Sequence, residues 1–336
     1  MPESKGSETQ VLTRIKRSIG VFSTLKFVIS RVGPLLILLI LMFFFSVLSS
    51  SFLTVSNLLN ITRQSAVNIV LAVGMTLVII GGGIDLSVGS LLGLSACTGA
   101  TFVMVLGINP LLGILIVLAI GASMGTVNGV VITKGHIPDF IATLGMMSVA
   151  RGLALLITGG LPVAGLPSQI TWWGIGDLYK VPVPLILAIL VSLSGWIILS
   201  YTKLGRCDYA IGGNKEAARN AGIDVDISKI KIYAIMGFFC AIGGLIETGR
   251  IYSANGLMGE GLELEAIAAV VIGGTNLFGG EGGVFGSIIG ALIMGVLSNG
   301  LHLLNVSAFW HRYMVGLIII VVVVIDQLRR RKIIAE

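Results

Sequence analysis

Charge is scarce in this chain. Only 11% of its 336 residues are Asp, Glu, Lys or Arg, against 55% apolar ones. No hydrophilic stretch is long enough for a soluble domain; the longest, at about 160–181 and 202–228, are little more than loops. The three cysteines, Cys97, Cys207 and Cys240, lack the spacing of a disulfide framework or a thiolate metal site. His136, His302 and His311 are scattered, no HExxH occurs, and the carboxylates are not paired across an evident cleft. Catalysis therefore has no constellation to use, and no metal site is expected. A P-loop is excluded because GxxxxGK(S/T) needs a Lys after a Gly and none occurs. Any ATP and Mg must be bound by another polypeptide, and no cofactor is expected in this one. Ion coupling lacks its usual carriers, since Asp85 and Glu247 lie near the ends of apolar segments and no Asp/Glu/His relay runs through them.

What the chain has in abundance is apolar sequence. A helix needs about 20 residues to cross a hydrocarbon core of about 30 Å. Ten such segments are expected, at about 32–53, 65–83, 88–106, 110–132, 139–159, 182–201, 229–248, 262–278, 284–304 and 308–326, with ends uncertain by about 2–4 residues. With the N-terminus inside, the inner segments collect 17 of the 22 basic residues, among them Lys134, Lys203, Arg206, Lys215, Arg219 and Arg329 to Lys332. The outer ones hold Arg63, Lys180, Arg250 and Arg312, and Arg151 lies within the fifth span. A frame shifted by one span reverses this asymmetry, so both termini are expected in the cytoplasm. The formal charge of +6 thus belongs to loops beside an anionic leaflet, and no nucleic-acid partner is needed. The expected organisation is a basic cytoplasmic segment 1–31, one all-α integral membrane domain over 32–328 and a basic tail 329–336. The first apolar run is too long for a signal peptide and lacks a following cleavage site, so it is expected to be a retained helix.

Glycine is the second abundant feature, at 46 residues. Gly89 and Gly93, Gly121 with Gly125 and Gly129, and Gly286 with Gly290 are spaced as small-xxx-small, which serves either tight helix packing or helices that slide. VIIGG at 78–82, followed by GSLLG at 89–93, is echoed by VIGG at 271–274 and GSIIG at 286–290. Both copies leave a span on the same side, which suits a same-direction echo better than an inverted one, whereas five spans per half would demand inversion; one copy can be re-entrant. Polar groups within the apolar segments are candidates for a translocation path: Asn68, Asp85, Ser87, Asn128 and Asn299. Asp85 serves equally as a helix cap, the asparagines as interhelical hydrogen bonds, and Arg151 as a snorkelling residue or partner of Asp139 or Asp85. On the outer side Arg250, Glu260, Glu263 and Glu265 offer a charged patch to a binding protein, or are simply solvated. In the loop at 202–228, Asn214 reads as an N-cap, Lys215 to Ala221 as a short Ala-rich helix and Gly222 as its stop. Such a helix is either a docking knob or a connector.

Three ordered stretches carry a resemblance: QSAVNIVLAVGMTLVIIGGGIDLSVGS at 64–90, LGRCDYAIGGNKEAARNAGI at 204–223 and EAIAAVVIGGTNLFGGEGGVFGSIIG at 265–290. Together they resemble the permease subunit of ribose-type monosaccharide ATP-binding-cassette importers, over about 50–326. The resemblance implies a multi-pass protein of the bacterial inner membrane that works by alternating access. It also implies a second permease copy or close paralogue, a cytoplasmic sugar ATPase and an extracytoplasmic sugar-binding protein. Carried onto this chain, the ATPase-coupling segment falls on Gly213, Asn214, Glu216, Ala217, Ala218 and Gly222. Glu281 departs from the pattern, where a basic residue is expected in many relatives. Ribose is the first expectation for substrate, with other pentoses, hexoses or a polyol next. The alternative is a gradient-driven secondary sugar transporter, which needs no ATPase.

Overall fold

The computed structural model describes residues 33–307, 309, 310, 312–321 and 324. Segment 1–31 and tail 329–336 lie outside the described residues, as do their basic groups. Thirteen helices are present among the described residues: α1 Gly33–Leu48, α2 Val55–Ile80, α3 Val88–Met104, α4 Pro110–Lys134, α5 Asp139–Thr158, α6 Ser168–Ile175 and α7 Val183–Tyr201. They continue as α8 Lys203–Gly213, α9 Lys215–Asn220, α10 Val225–Ile251, α11 Leu262–Ile272, α12 Val284–Leu303 and α13 Arg312–Val321. Each of the ten expected apolar segments holds one of these helices. Six of them (α2, α4, α5, α7, α10 and α12) are long and apolar enough to cross a membrane.

Helix starts follow local chemistry. The Thr54 hydroxyl accepts from Asn57 N, Asn109 Oδ1 from Leu111 N ahead of Pro110, and Asp224 Oδ1 from Ile227 N. The second expected segment begins ten residues early, at Val55, because Asn57, Arg63 and Gln64 find partners across the bundle. Asn57 pairs with Asn299, Arg63 with Asp177 at 2.8 Å and Gln64 with Ser298 at 3.0 Å. The eighth departs most. Its expected 17-residue span is an 11-residue helix, α11, which rises only about 16 Å before Gly273 and Gly274 end it. The preceding residues 252–261 are non-helical and fold into the bundle against Gly89 and Gly93 of α3.

At the centre is α2, where every residue from Ser65 to Ile80 is buried, against α7, α10, α11 and α12. α5 and α7 lie outside, and their exposed Leu and Ile present an apolar surface suited to lipid. The small-xxx-small residues are packing surfaces. Gly121 and Gly125 meet the α10 backbone at Gly237 and Tyr233, where any Cβ would collide with a carbonyl. This is a close-approach seam of the kind that drives helix association where lipid offers no hydrophobic gain. Residues 121–125, Gly-Ala-Ser-Met-Gly, match the GxSxG spacing of a nucleophile elbow, but they lie mid-helix with Ser123 facing outward.

The loops of the described residues gather at two ends. At one end, the basic end, Gly81 to Gly83, Lys134, Asp139, α8, α9 and Phe278 to Gly280 converge. At the other lie α6 and two two-residue ladders: β1 (Val163–Ala164) with β4 (Ser253–Ala254), and β2 (Asp177–Leu178) with β3 (Val181–Pro182), both antiparallel. The echoed glycine turns touch: Gly280 N donates to Ile80 O at 2.9 Å, and Gly279 packs on Gly82. The two copies therefore leave their helices on one side.

Candidate translocation path and coupling site

At the basic end α9 stands as a knob. Asn214 Oδ1 accepts from Ala217 N at 2.9 Å, and Gly222 at φ 83° closes the turn after Ala221. Ala218 alone in α9 is buried, against Ile211 and Val225, while Gly213, Asn214, Lys215, Glu216, Ala217 and Arg219 are exposed. The reading of Asn214 as cap and Gly222 as stop is reproduced. Its base, α8, is anchored inward at three places. The Tyr209 hydroxyl donates to Gly282 O at 2.8 Å, Gly212 packs on Ile80 O, and the Asp208 carboxylate lies against Gly81. Between α7, α8 and the second glycine turn lies a groove of about 710 Å³, lined in part by Trp196, Tyr209 and Glu281.

Asp208 is 1% exposed and its Oδ2 has no hydrogen-bond partner. Burial holds this carboxyl well above the usual carboxylate range, with the Lys229 charge opposing. A raised acid takes up its proton more readily when folded. Its presence therefore lowers stability progressively as pH rises above the unfolded value of about 4, towards the higher folded value. Asp208→Asn keeps the shape without the charge and is expected to unfold at a higher temperature than wild type at pH 8, the gap closing towards pH 5. Thermal unfolding of purified protein in detergent checks this; an Asn variant less stable at pH 8 would show that the carboxylate is held charged.

Three of the expected path residues come together. Asp85 Oδ1 accepts from Ser87 N at 2.8 Å and from its hydroxyl at 2.6 Å, and Asn128 Nδ2 donates to Ser87 Oγ at 2.8 Å. All three are buried, and Asp85 Oδ2 and Asn128 Oδ1 are left without partners. Asp85 thus closes an Asx turn onto Ser87, the N-cap of α3, the capping alternative in a modified form. Asn68 lies apart, donating to Glu265 at 3.1 Å. Asn299 is elsewhere again, locked in a reciprocal amide pair with Asn57 at 2.9 and 3.0 Å. That geometry is the interhelical alternative, complete without a solute.

The four residues of the expected docking patch do not form one surface. Arg250 pairs with Glu247 at 2.8 Å and Glu260 approaches Arg312 at 3.6 Å, both partly exposed. Glu263 and Glu265 turn inward, towards Gly89 and Asn68 respectively. Arg151 pairs with neither Asp139 nor Asp85; its Nη1 donates to Gly256 O at 2.9 Å and Met258 O at 2.7 Å. Asp139 is taken instead by Lys229 at 2.6 Å and the Tyr233 hydroxyl at 2.8 Å. Sequence reasoning missed this cluster. Its one signal was a Lys more than one turn inside an apolar helix, which must meet an acid to be tolerated there.

The family model described as branched-chain amino acid transport system / permease component matches residues 57–323. The chain belongs to this permease family. The permease is 46% identical over 298 residues to the ribose import permease protein of Escherichia coli K12, covering 87% of this chain and 92% of the relative. It is equally similar, 46% over 302 residues, to the ribose import permease protein of Bacillus subtilis 168, covering 89% and 94%. It is 35% identical over 320 residues to the D-allose transport system permease protein of E. coli K12, covering 94% and 98%. No solved structure matches the chain. It is a multi-pass membrane protein of the ATP-binding-cassette importer class, a permease subunit as the three motifs implied.

Proposed function

We propose that this permease carries ribose inward by alternating access, as one of two copies whose coupling helices are moved by a cytoplasmic ATPase. The observation that supports this most directly is α9: six residues, capped at Asn214 and stopped at Gly222, that bury one alanine and leave the rest for a partner. A capped helix of small side chains suits seating in a shallow groove and passing on rigid-body motion. Ribose is taken from the substrate named for the relatives at 46% identity. In this reading the basic end is cytoplasmic, all ten apolar helices belong to the membrane domain and both termini are inside. An extracytoplasmic sugar-binding protein meets the opposite end near Arg250 and Glu260. The path is shaped more than sticky, because an external binding protein supplies affinity and a tight internal site would slow release.

The test is co-purification of a tagged copy from mild detergent, with Glu216→Arg and Ala217→Arg as the paired variant. One ATPase is expected with the native chain and lost with the variant, and ATP-driven uptake of labelled ribose should be competed best by ribose itself. Native chain that retains uptake without any ATPase would replace this reading with gradient-driven transport.

A further inference from the structure

Non-helical backbone at membrane depth is tolerated only where protein buries it or where it lines a water-filled cavity. Residues 252–261 are such a segment. They leave the end of α10 and run down beside α3, with Met258 against Gly93 and Gly259 against Gly89, before α11 begins at Leu262. Tyr252 at φ 56°, Gly259 at φ 77° and Gly261 at φ 89° bend it at both ends. Its carbonyls at Gly256 and Met258 share one donor, Nη1 of Arg151. Arg151 is the thirteenth residue of the 20-residue α5, where an arginine is expensive unless it is committed to a polar partner. Because a single guanidinium nitrogen holds both carbonyls, one rotamer change frees the stretch around 256–258, while Ser253 and Ala254 stay paired with β1. A solute rich in hydroxyls offers that nitrogen alternative acceptors.

We propose that residues 255–261, beyond the β4 pairing, are the movable closure at the outer mouth of the path, and that Arg151 is the positioning residue that latches it. The inference rests on the transport reading given above.

The experiment uses right-side-out vesicles carrying the whole importer. Leu257, 59% exposed at the tip of the segment, is replaced in Leu257→Cys and labelled from outside with a membrane-impermeant maleimide; the native chain controls for Cys97, Cys207 and Cys240. With Arg151 intact, the labelling rate should differ at least fivefold between the resting complex and the ATP-vanadate-trapped one. Arg151→Gln should abolish that difference. It should also lower sugar uptake at least about tenfold, the scale of losing charge-assisted hydrogen bonds, while ATP hydrolysis continues. Arg151→Lys, which keeps a charged donor, should recover part of the uptake. Labelling that is the same in both states with Arg151 intact overturns the proposal, and so does Arg151→Gln with native uptake. If native vesicles show no ATP-driven uptake the transport reading falls and takes this inference with it. Native uptake with state-independent labelling overturns the inference alone.

Discussion

Lys229→Met is expected to be among the most damaging single substitutions in the chain, and Asp139→Asn in the same background is expected to recover much of the loss. The two side chains are 2.6 Å apart and only 9% and 17% exposed, which separates them from surface ion pairs. Those contribute little, about 0–1 kcal/mol. Removing one partner of a buried pair leaves an uncompensated charge and costs about 3–5 kcal/mol. Here the stranded group is Asp139, with only the Tyr233 hydroxyl still donating to it. Asp139 is the first residue of α5 and Lys229 lies in the second turn of α10, so the pair ties the starts of two long helices together at the basic end. The measurement is the half-life of folded, monodisperse protein in detergent at one elevated temperature, for both single variants and the double. Loss in either single, with the double closer to native than the sum of the two, is the expected cycle. A Lys229→Met variant within about 1 kcal/mol of native would show that the pair is screened like a surface one.

That cluster also marks where the sequence stops being readable. The apolar segments were legible because hydropathy and the sorting of Lys and Arg are properties of each segment alone, and α9 was legible because Asn214 and Gly222 cap locally. Partner choice is not local. The sequence offered Asp139 only Arg151 as a mate, and the bundle gives it Lys229 instead by placing Arg151 beside two carbonyls that no sequence pattern announces. The ten-residue error at the start of α2 has the same origin. Asn57, Arg63 and Gln64 look like a loop until Asn299, Asp177 and Ser298 arrive from elsewhere in the chain. Asn299 was a reasonable path candidate by polarity, and its amide pair with Asn57 supplies a packing role instead. α11 misled differently. Its apolar run continues through Gly273 and Gly274 into Leu277 and Phe278, so hydropathy sees 17 residues where backbone geometry stops at 11.

Gly212→Ala and Gly213→Ala, adjacent substitutions of one chemistry, should act in opposite directions. Both sites close α8, neither has a positive φ, and alanine is the better helix former by about 1 kcal/mol in a helix interior. Around Gly213 there is open space, so Gly213→Ala should be neutral or slightly stabilising. At Gly212 the place of a Cβ is already occupied by the carbonyl oxygen of Ile80, the same oxygen that accepts from Gly280 N at 2.9 Å. Backbone cannot turn aside as a side chain does, so Gly212→Ala must separate α8 from both glycine turns, at about 1–3 kcal/mol for overpacking. The consequence for transport follows from position. α8 leads directly into α9, and its contacts at Tyr209 and Gly212 reach the end of α2 and the turn into α12. A displacement of α9 therefore carries those turns with it only while the junction is closed. In the assembled importer Gly212→Ala is expected to keep ATP hydrolysis near native and reduce sugar uptake severalfold or more, whereas Gly213→Ala retains both. Equal loss of hydrolysis and uptake in Gly212→Ala would place the damage in ATPase docking by α9. Native uptake would mean that motion reaches the bundle without this junction, through the other covalent end of the loop, at the start of α10.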